Sequence, residues 1–217
     1  LTFMPKPFAK INGSGMHIHL SLVDFLGRNL FFDKKERISK LAKSFLAGIL
    51  KHAKSISAIA ACSVNSYKRL VPGYEAPVNI CWGHFNRSAL IRIPTFSDKK
   101  SARIELRMPD SLSNPYLLFA VVLGAGLEGI KENLEPPPPC QINTYKNSQN
   151  FEALPSTLKE ALKLFQKDEL MRKILGKALP IFVEEKMKEW QEYEMLHPNW
   201  DPFEITEWEL NKYFHLI

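Results

Sequence analysis

Four consecutive prolines, Pro136 to Pro139, place the strongest single constraint on how this chain folds. Proline fixes its own φ and lacks a backbone N–H, so the run fits neither a helix nor a central strand and predicts an extended spacer. Strand-like alternation precedes the run, and helical periodicity prevails well after it. We therefore predict a sheet-bearing part over 1–135, a proline-rich spacer and loop over 136–155, and a helical section of the same domain over 156–217.

Three segments before the spacer alternate apolar and polar residues, which is typical of strands with one buried face. The segments are 16–22, 88–93 and 102–108. The polar side chains on their second faces are His17, His19, Ser21, Arg92, Arg103, Glu105 and Arg107. We expect these strands to form a curved antiparallel sheet backed by helices, which is an α+β fold with a helical C-terminal section.

Apolar periodicity and capping residues predict the helices. The expected helices cover 36–53, 115–127, 157–167, a stretch after Pro180, and a last helix that opens at Thr206 and runs to Tyr213. The helix that Asn114 caps is apolar nearly all round, so we expect it to be buried. Its apolar run is too short to span a bilayer, and no other segment approaches the required length.

The two polar strand faces indicate chemistry, although each has a plainer reading. A face with His17, His19 and Ser21 suits a metal or a phosphate, but two satisfied surface histidines would give the same pattern. A face on which Arg103 and Arg107 flank Glu105 suits bidentate binding of phosphate or carboxylate. A solvated ladder of charges on an open sheet is the alternative, and the residues alone leave both questions open.

Most of the net positive charge of the chain lies in one stretch of the sequence, which favours an anionic ligand. The chain carries a net charge of +6, and eight basic residues face only three acidic ones between Lys68 and Arg107. Such a concentration suits a polyphosphate or a dicarboxylate. A nucleic-acid backbone is the alternative, but no recognised nucleic-acid motif accompanies the cluster, so we expect no nucleic-acid partner. The three cysteines form no CxxC pair, which favours a reduced, cytoplasmic setting.

Four motifs, taken together, resemble the glutamine synthetase family. They are KPFAKINGSGMHIHLSL at 6–22, NSYKRLVPGYEAP at 65–77, NRSALIRIP at 86–94 and RIELRMPDSLSNPY at 103–116. The resemblance is collinear to about Lys131 and looser in the helical C-terminal section. It implies a ligase that joins glutamate and ammonia into glutamine through γ-glutamyl phosphate, with ATP as co-substrate, Mg²⁺ or Mn²⁺ as cofactor, and a homo-oligomer of stacked rings.

The resemblance also implies a role for individual residues. His17 and Glu105 match metal ligands. Asn12, Gly13, Arg69 and Arg107 match positions that bind glutamate. His19, Ser21, Arg92, Lys100 and Arg103 match positions around the nucleotide. Glu75 matches the carboxylate of a flap that closes the site and takes a proton from ammonium, and Arg87 matches the arginine that stabilises the transferring phosphoryl group.

The family pattern extends upstream of the position of Leu1, where a β-grasp domain and further glutamate ligands are expected. Because those ligands complete the metal sites, we expect this chain alone to have little or no synthetase activity. We also expect exposed apolar surface and self-association. Some bacterial members carry an adenylylated tyrosine after the spacer, but the context of Tyr145 departs from that pattern, and we interpret it as a plain loop tyrosine.

Two other family functions compete with this hypothesis. A γ-glutamyl-amine (polyamine) ligase needs room at the flap; the segment Pro72–Glu75 is typical of the ammonia-using form, whereas Trp82-Gly83 leaves the question open. A non-catalytic structural or assembly protein would be favoured by loss of His17, Glu75 or Arg87, and all three are present.

Overall fold

The structure is a computed structural model that describes residues 1–216, and its sheet and helices confirm the α+β class. The strands are β1 (Ile18–Leu20), β2 (Phe32–Asp33), β3 (Arg37–Ile38), β4 (Trp82–His84), β5 (Ile91–Ile93) and β6 (Ile104–Leu106). The helices are α1 (Lys40–Lys51), α2 (Ala53–Ala60), α3 (Val64–Arg69), α4 (Pro115–Lys131), α5 (Leu158–Lys167), α6 (Glu169–Leu175), α7 (Ala178–Leu196) and α8 (Glu207–Tyr213). Short 3₁₀ turns lie at Lys99–Ser101 and Ser148–Asn150.

The principal sheet has the strand order β1-β6-β5-β4, while β2 and β3 form a separate hairpin. The pairs β1–β6 and β6–β5 are antiparallel, as expected. The pair β4–β5 is parallel, so the expectation of a wholly antiparallel sheet is wrong at this edge. The chain returns from β4 to β5 through 85–90 alone, which is far shorter than the usual parallel crossover. Phe85 adopts a φ of 59° in this return.

Alternation along the strands separates the two faces of the sheet as the sequence predicts. Ile18, Leu106 and Ile91 are in register and are buried in the main core. On the opposite face, His19 and Arg92 both pair with Glu105, so one polar row crosses three neighbouring strands. The sheet therefore buries one face and presents the other for binding.

Helices α1 and α4 pack closely because glycines lie where they cross. A Cβ atom on Gly48 would lie 2.0 Å from the carbonyl oxygen of Ala125. A Cβ on Gly129 would lie 2.2 Å from the carbonyl oxygen of Ser44. No side chain fits at either position, so the two backbones are in direct contact.

Helix α4 begins at Pro115 with Asn114 as its cap, as predicted, but it is not buried all round. Its inner side chains lie in the core, whereas an outer stripe is exposed. The exposed stripe consists of Tyr116, Phe119, Leu123 and Leu127. The expectation of full burial is therefore wrong for one face of this helix, and the self-association expected from such surface stays a prediction.

Several predicted helix boundaries shift by a few residues. Helix α1 starts at Lys40 rather than Glu36, because Arg37–Ile38 forms strand β3 and Ser39 caps the helix. Helix α7 starts at Ala178, so Pro180 lies in its first turn, where proline is tolerated. Helix α5 starts at Leu158, one residue after the predicted start, and Thr157 caps it. The predicted cap at Thr206 is confirmed as a complete capping box with Glu209.

A buried ion pair joins α3 to α8 and corrects one sequence expectation. The Lys68 ammonium donates to the Glu209 carboxylate at 2.6 Å, the Tyr193 hydroxyl at 3.0 Å and the Glu204 carbonyl oxygen at 2.5 Å. The side chains of Lys68 and Glu209 are fully buried. Lys68 was counted in the basic cluster, but it lies in the helical core and is not available to an anion there.

The proline run packs beside the sheet edge, where the Trp82 indole N–H donates to the Pro137 carbonyl oxygen at 2.7 Å. Helix α5 packs on α2, and α6 packs on α4, so the C-terminal helices share the main core. The three-part division of the chain stays a prediction. None of the helices within 1–216 is long and apolar enough to cross a membrane.

Candidate active site

The polar row on the open sheet face centres on Glu105, a nearly fully buried carboxylate. His17 Nδ1 lies 3.0 Å from Glu105 Oε1, and Arg92 Nε donates to Glu105 Oε2. Arg107 Nε lies 3.8 Å from the same carboxylate. Burial opposes ionisation of Glu105, but the bonds from His17 and Arg92 outweigh it and lower its pKa to about 2. Glu105 is therefore an anion that gathers imidazole and guanidinium groups around it.

Arg107 has hydrogen-bonding capacity to spare. Its side chain is buried, yet among the described residues its Nε and Nη1 atoms find no hydrogen-bond partner. Its Nη2 atom makes a 3.4 Å bond to the carbonyl oxygen of Glu75. Burial lowers the pKa of Arg107, because the cation is removed from water. A carboxylate or phosphate oxygen is the natural acceptor for such donors.

Arg69 lies behind Arg107 rather than beside it. Its Nη1 and Nη2 atoms donate to the carbonyl oxygens of Met108 at 2.7 Å and Arg107 at 3.2 Å. Its guanidinium also touches the loop before β1, where a Cβ on Gly15 would lie 2.5 Å from Nη2. In this arrangement Arg69 positions the backbone on either side of Arg107, and its predicted contact with glutamate stays a prediction.

The loop before β1 carries the other two residues predicted to bind glutamate. Gly13 packs so tightly that a Cβ there would lie 2.3 Å from the carbonyl oxygen of Pro5. The Ser14 N–H donates to that same oxygen at 2.8 Å. Asn12 is exposed at the tip of the loop. The glycine therefore fixes the path of the loop, and Asn12 is available to a ligand.

The predicted nucleotide residues lie along β1, β5, β6 and the turn before β6. Arg103 Nε donates to His19 Nδ1 at 3.2 Å, so Nδ1 of His19 is unprotonated and acts as the acceptor. Burial and the Arg103 cation lower the pKa of His19, against the opposing field of Glu105. Ser21 and Lys100 are exposed at the same end of the face. The structure thus brings His19, Arg92 and Arg103 together and leaves Ser21 and Lys100 at the margin.

Glu75 and Arg87 line one cavity of about 510 Å³, and their catalytic roles stay a prediction. Both side chains are exposed to it. Glu75 adopts a φ of 57°, an uncommon conformation for a residue with a side chain, and Gly73 one of 91° in the same turn. The turn from Val71 to Glu75 is therefore held in a strained shape beside the cavity.

The segment after the proline run forms the opposite wall of this cavity, and the sequence analysis missed its part. Tyr145 lines the cavity, and its buried hydroxyl has no partner among the described residues. Burial raises the pKa of Tyr145, against the nearby cations of Arg107 and Arg69. Two contacts fix the segment: the Thr144 N–H donates to Ser88 Oγ at 3.0 Å, and Thr144 Oγ1 donates to the Ser88 carbonyl oxygen at 2.9 Å. Tyr145 lies in a turn, and the interpretation that it is not a modification site stays a prediction.

A family model described as glutamine synthetase, catalytic domain, matches residues 1–213 of the chain. The chain belongs to the glutamine synthetase family. It is 48% identical to the glutamine synthetase of Pyrococcus woesei, and the alignment covers 99% of this chain and 51% of that protein. It is 46% identical to the glutamine synthetase of Thermotoga maritima, over 99% of this chain and 49% of that protein. The chain spans about half the length of these curated relatives.

Solved structures agree with this family assignment. A structure titled as a complex of GmaS with ADP superposes with a TM-score of 0.82 at 38% identity, over 97% of this chain and 48% of that one. The ligand-free form of GmaS superposes with a TM-score of 0.81 at the same identity. The fold of the chain is therefore that of the glutamine synthetase catalytic domain, in part.

Glutamine synthetases generally use a divalent metal, and the donor set of this chain does not complete a site for one. His17 and Glu105 lie close together, but within residues 1–216 no group of three or more ligating side chains could hold a metal. Glu105 is also already bonded to Arg92. Two donors are too few to hold a divalent cation by themselves, so the assignment of these residues as metal ligands stays a prediction.

A second cavity, of about 630 Å³, is larger than the one that holds Glu75 and Arg87. It lies between the start of α1, strand β4 and the proline run. Its walls include Lys40, Trp82 and His84, and none of the predicted site residues. We therefore place the candidate active site of this glutamine synthetase family member at the smaller cavity and the adjoining polar row.

Proposed function

We propose that the chain is the C-terminal catalytic part of an ATP-dependent glutamate–ammonia ligase, which forms glutamine through γ-glutamyl phosphate. One observation carries the proposal: two buried donors of Arg107 make no hydrogen bond among the described residues, and Arg107 lies within 3.8 Å of Glu105, which also binds Arg92 and His17. Desolvated donors of this kind favour a carboxylate or phosphate ligand. The 48% identity to a named glutamine synthetase supports the same assignment.

The polar row and the loop before β1 divide the substrates between them in this proposal. Arg107 binds a carboxylate of glutamate, Arg69 supports it from behind, and Asn12 with Gly13 contacts the rest of the amino acid. Arg92, Arg103 and Lys100 bind the phosphates of ATP, with His19 and Ser21 beside them. This division follows the charge of each ligand, because the nucleotide carries more negative charge and meets more cations.

The reaction then proceeds in two displacements. A γ-carboxylate oxygen of glutamate attacks the γ-phosphorus of ATP, the bond to the β-phosphate oxygen breaks, and ADP leaves. The nitrogen of ammonia attacks the acyl carbon, the carbon–oxygen bond breaks, and inorganic phosphate leaves. Arg87 neutralises charge on the phosphoryl group during transfer, and Glu75 orients ammonium and accepts its proton. The turn around Glu75 shields the acyl phosphate from water.

The residues of this chain supply only part of the proposed metal site. We propose that His17 and Glu105 act with metal ligands supplied from elsewhere, as Mg²⁺ or Mn²⁺ sites of the family require, and that the working enzyme is a cytoplasmic homo-oligomer. The isolated chain accordingly has little or no ligase activity. No step above depends on a metal bound by this chain.

Two assays test the proposal. Ammonium-dependent release of phosphate from ATP should stay at background for the isolated chain, and it should appear in the product of the full reading frame if that frame continues upstream of Leu1. Calorimetric titration of the isolated chain with ATP should show binding that weakens at least about tenfold in Arg103→Met, since a charge-assisted bond to phosphate is lost. The exposed variant Lys188→Ala is the matched control. Equal ATP affinity in both variants would contradict the assignment of the nucleotide face.

A γ-glutamyl-amine (polyamine) ligase is the second candidate, because Trp82-Gly83 leaves the choice of nucleophile open. The two candidates differ only in the nucleophile that enters beside Glu75. Competition between ammonium and methylamine or a polyamine in the full-length enzyme distinguishes them. Preferential consumption of the amine would replace the ammonia assignment without changing the roles of the glutamate and nucleotide residues.

A further inference from the structure

Two of the three cysteines lie against each other beside the candidate active site. Cys81 immediately precedes β4, and Cys140 immediately follows the proline run. The Cys140 N–H donates to the Trp82 carbonyl oxygen at 2.7 Å, so the two chain segments run side by side. Cys81 and Cys140 belong to one small buried cluster with Ala89.

We propose that Cys81 and Cys140 form a reversible intramolecular disulfide in response to peroxide, and that this bond changes the wall of the cavity that holds Glu75 and Arg87. The pair is present in its free thiol form in this structure. The backbone bond next to both cysteines and their shared buried cluster bring the two side chains together, as a disulfide requires. The proposal is independent of which nucleophile or nucleotide the site accepts.

The surroundings of the two sulfur atoms differ, and this difference assigns the order of events. Burial raises the pKa of the Cys81 thiol to about 12, which keeps that sulfur protonated. Cys140 receives a hydrogen bond from Asn86 Nδ2 to its sulfur at 3.7 Å, and its own thiol donates to the Ile142 carbonyl oxygen at 3.3 Å. Asn86 and Ile142 both line the cavity, so Cys140 is the sulfur nearer to it and the one we expect peroxide to reach first.

The chemistry balances with one peroxide. The Cys140 sulfur attacks a peroxide oxygen as its thiol proton is released, the O–O bond breaks, and the departing hydroxide takes up that proton, so that a sulfenic acid and water form. The Cys81 sulfur then attacks Cys140 Sγ, the S–O bond breaks, and hydroxide leaves with the Cys81 proton as a second water. The two thiols lose two electrons in total and the peroxide gains them. A dithiol reductant reverses the change by thiol–disulfide exchange.

The disulfide would reach the candidate active site through Asn86. The Asn86 amide donates to the carbonyl oxygens of Cys140 at 3.1 Å and Ile142 at 2.9 Å. Asn86 and Ile142 line the same cavity as Glu75 and Arg87. A disulfide brings the sulfurs to about 2 Å and removes the S–H donor to Ile142, so the segment 140–142 must move toward β4.

The third cysteine is an internal control. Cys62 is buried next to α3, and its thiol donates to the Leu112 carbonyl oxygen at 3.1 Å. Burial raises the pKa of Cys62 to about 12, as it does for Cys81. Cys62 does not belong to the buried cluster that contains Cys81 and Cys140. Oxidation that depends only on thiol chemistry would not separate Cys62 from Cys81, whereas oxidation that depends on the pair will.

The test is a disulfide map of the intact chain. Reduced protein is treated with hydrogen peroxide, its remaining thiols are blocked with N-ethylmaleimide, and the products are digested without reductant and analysed by mass spectrometry. We expect one cross-linked pair of peptides, containing Cys81 and Cys140, that dithiothreitol separates. The cross-link should persist in Cys62→Ser and fall to background in Cys81→Ser and in Cys140→Ser.

Three results would overturn the proposal. They are oxidation of Cys140 to sulfinic acid with Cys81 still free, a disulfide between two chains, and a cross-link that includes Cys62. Should the two serine variants at the pair fail to fold, the map of Cys62→Ser alone decides, because that variant retains only the proposed pair. Hydrogen exchange tests the claim that the disulfide changes the cavity wall. Backbone amides over 141–145 should exchange more slowly in the oxidised chain than in the reduced chain. Unchanged exchange would refute an effect on the cavity wall.

Discussion

This chain contains two clusters in which a buried cation lies beside a carboxylate. They differ in whether the N–H donors of that cation are hydrogen-bonded. In the helical core, the Lys68 ammonium is fully buried and donates to Glu209, Tyr193 and Glu204. On the open sheet face, Arg107 keeps two buried donors without a partner among the described residues. The first cluster satisfies its donors internally, whereas the second leaves two donors without a hydrogen bond, as our proposal of an anionic ligand requires.

The difference teaches how to separate a structural charge from a functional one. Sequence proximity does not do so, because Lys68 and Arg69 are neighbours and yet face different clusters. Satisfaction of donors does, because burying an unpaired polar group costs free energy that a stable core avoids. The predictions below change one cluster at a time and compare the response.

The largest expected effect on stability is in the helical core. Lys68→Met leaves the buried Glu209 carboxylate without its cation, and we expect the free energy of unfolding to fall by about 3 to 5 kcal/mol. Urea denaturation followed by circular dichroism measures the change. The exposed pair of Lys188 with Glu184 supplies the control, and Lys188→Ala should have no measurable effect. A small loss in Lys68→Met would show that the two clusters are not different in kind.

The second largest effect is expected at the sheet-face cluster, where acid should lower the free energy of unfolding. The folded pKa of Glu105 lies at about 2, below its ordinary value of 4.5, so its contribution is fully present above pH 4.5 and is lost as pH falls toward 2. A shift of this size corresponds to about 3 kcal/mol. Chemical denaturation across this pH range should show the loss in the native chain and a flatter profile in Glu105→Gln. Parallel profiles in the two proteins would contradict the assigned pKa.

A third cluster, around His52, should depend on pH in the opposite direction to Glu105. Its effect on the free energy of unfolding is expected to be moderate. Its ring nitrogens lie 2.7 Å from Asp168 and 2.7 Å from Glu128, and Lys51 also bonds to Glu128. Burial alone would lower the pKa of His52, but the two carboxylates outweigh it and raise that pKa. The stabilisation is therefore complete below pH 6.5 and is lost as pH rises through the higher folded pKa.

The variant His52→Gln should remove this pH dependence and cost about 1 to 2 kcal/mol at pH 5.5, since bonds to charged partners are lost. Thermal unfolding at pH 5.5 and pH 9 gives the comparison. The difference between variant and native chain should shrink at the higher pH. A difference that is equal at both values would show that the imidazole packs there without carrying charge.

The smallest expected effect on stability is at Arg107. Its Nε and Nη1 donors are unpaired in the described structure, and Glu105 retains His17 and Arg92, so Arg107→Met should change the free energy of unfolding by no more than about 1 kcal/mol. The same variant should lose most of its affinity for glutamate in calorimetric titration. Arg172→Met, on α6, is the matched control for loss of an arginine. A large destabilisation would place Arg107 with Lys68 as a structural cation.

Much of the fold and part of the candidate site could be predicted from the sequence, for identifiable reasons. Alternation sets which residues share a face within one strand, so the common faces of His17 with His19 and of Arg103 with Glu105 could be predicted. The row that joins His19, Glu105 and Arg92 depends on strand pairing and could not. Caps at Asn114 and Thr206 gave helix starts because the side chain that caps a helix is itself part of the local sequence.

The rest depended on contacts distant along the chain. Tyr145 reaches the cavity because Thr144 bonds to Ser88, and no local pattern encodes that pairing. The burial of Lys68 depends on Glu209, which lies far away in sequence. The exposed side of α4 was missed because apolar content alone does not say whether a neighbouring element covers each face.

The return through 85–90 joins two parallel strands with very few residues, and it carries Arg87. The length of this return therefore sets how far Arg87 lies from the edge of the sheet. The strand register sets the position of Glu105 in a similar way. A single inserted residue would have to be absorbed either by a new bulge or by a slip of β4 against β5. Deep mutational scanning with insertions should accordingly find this return less tolerant than the exposed turn at Gly27.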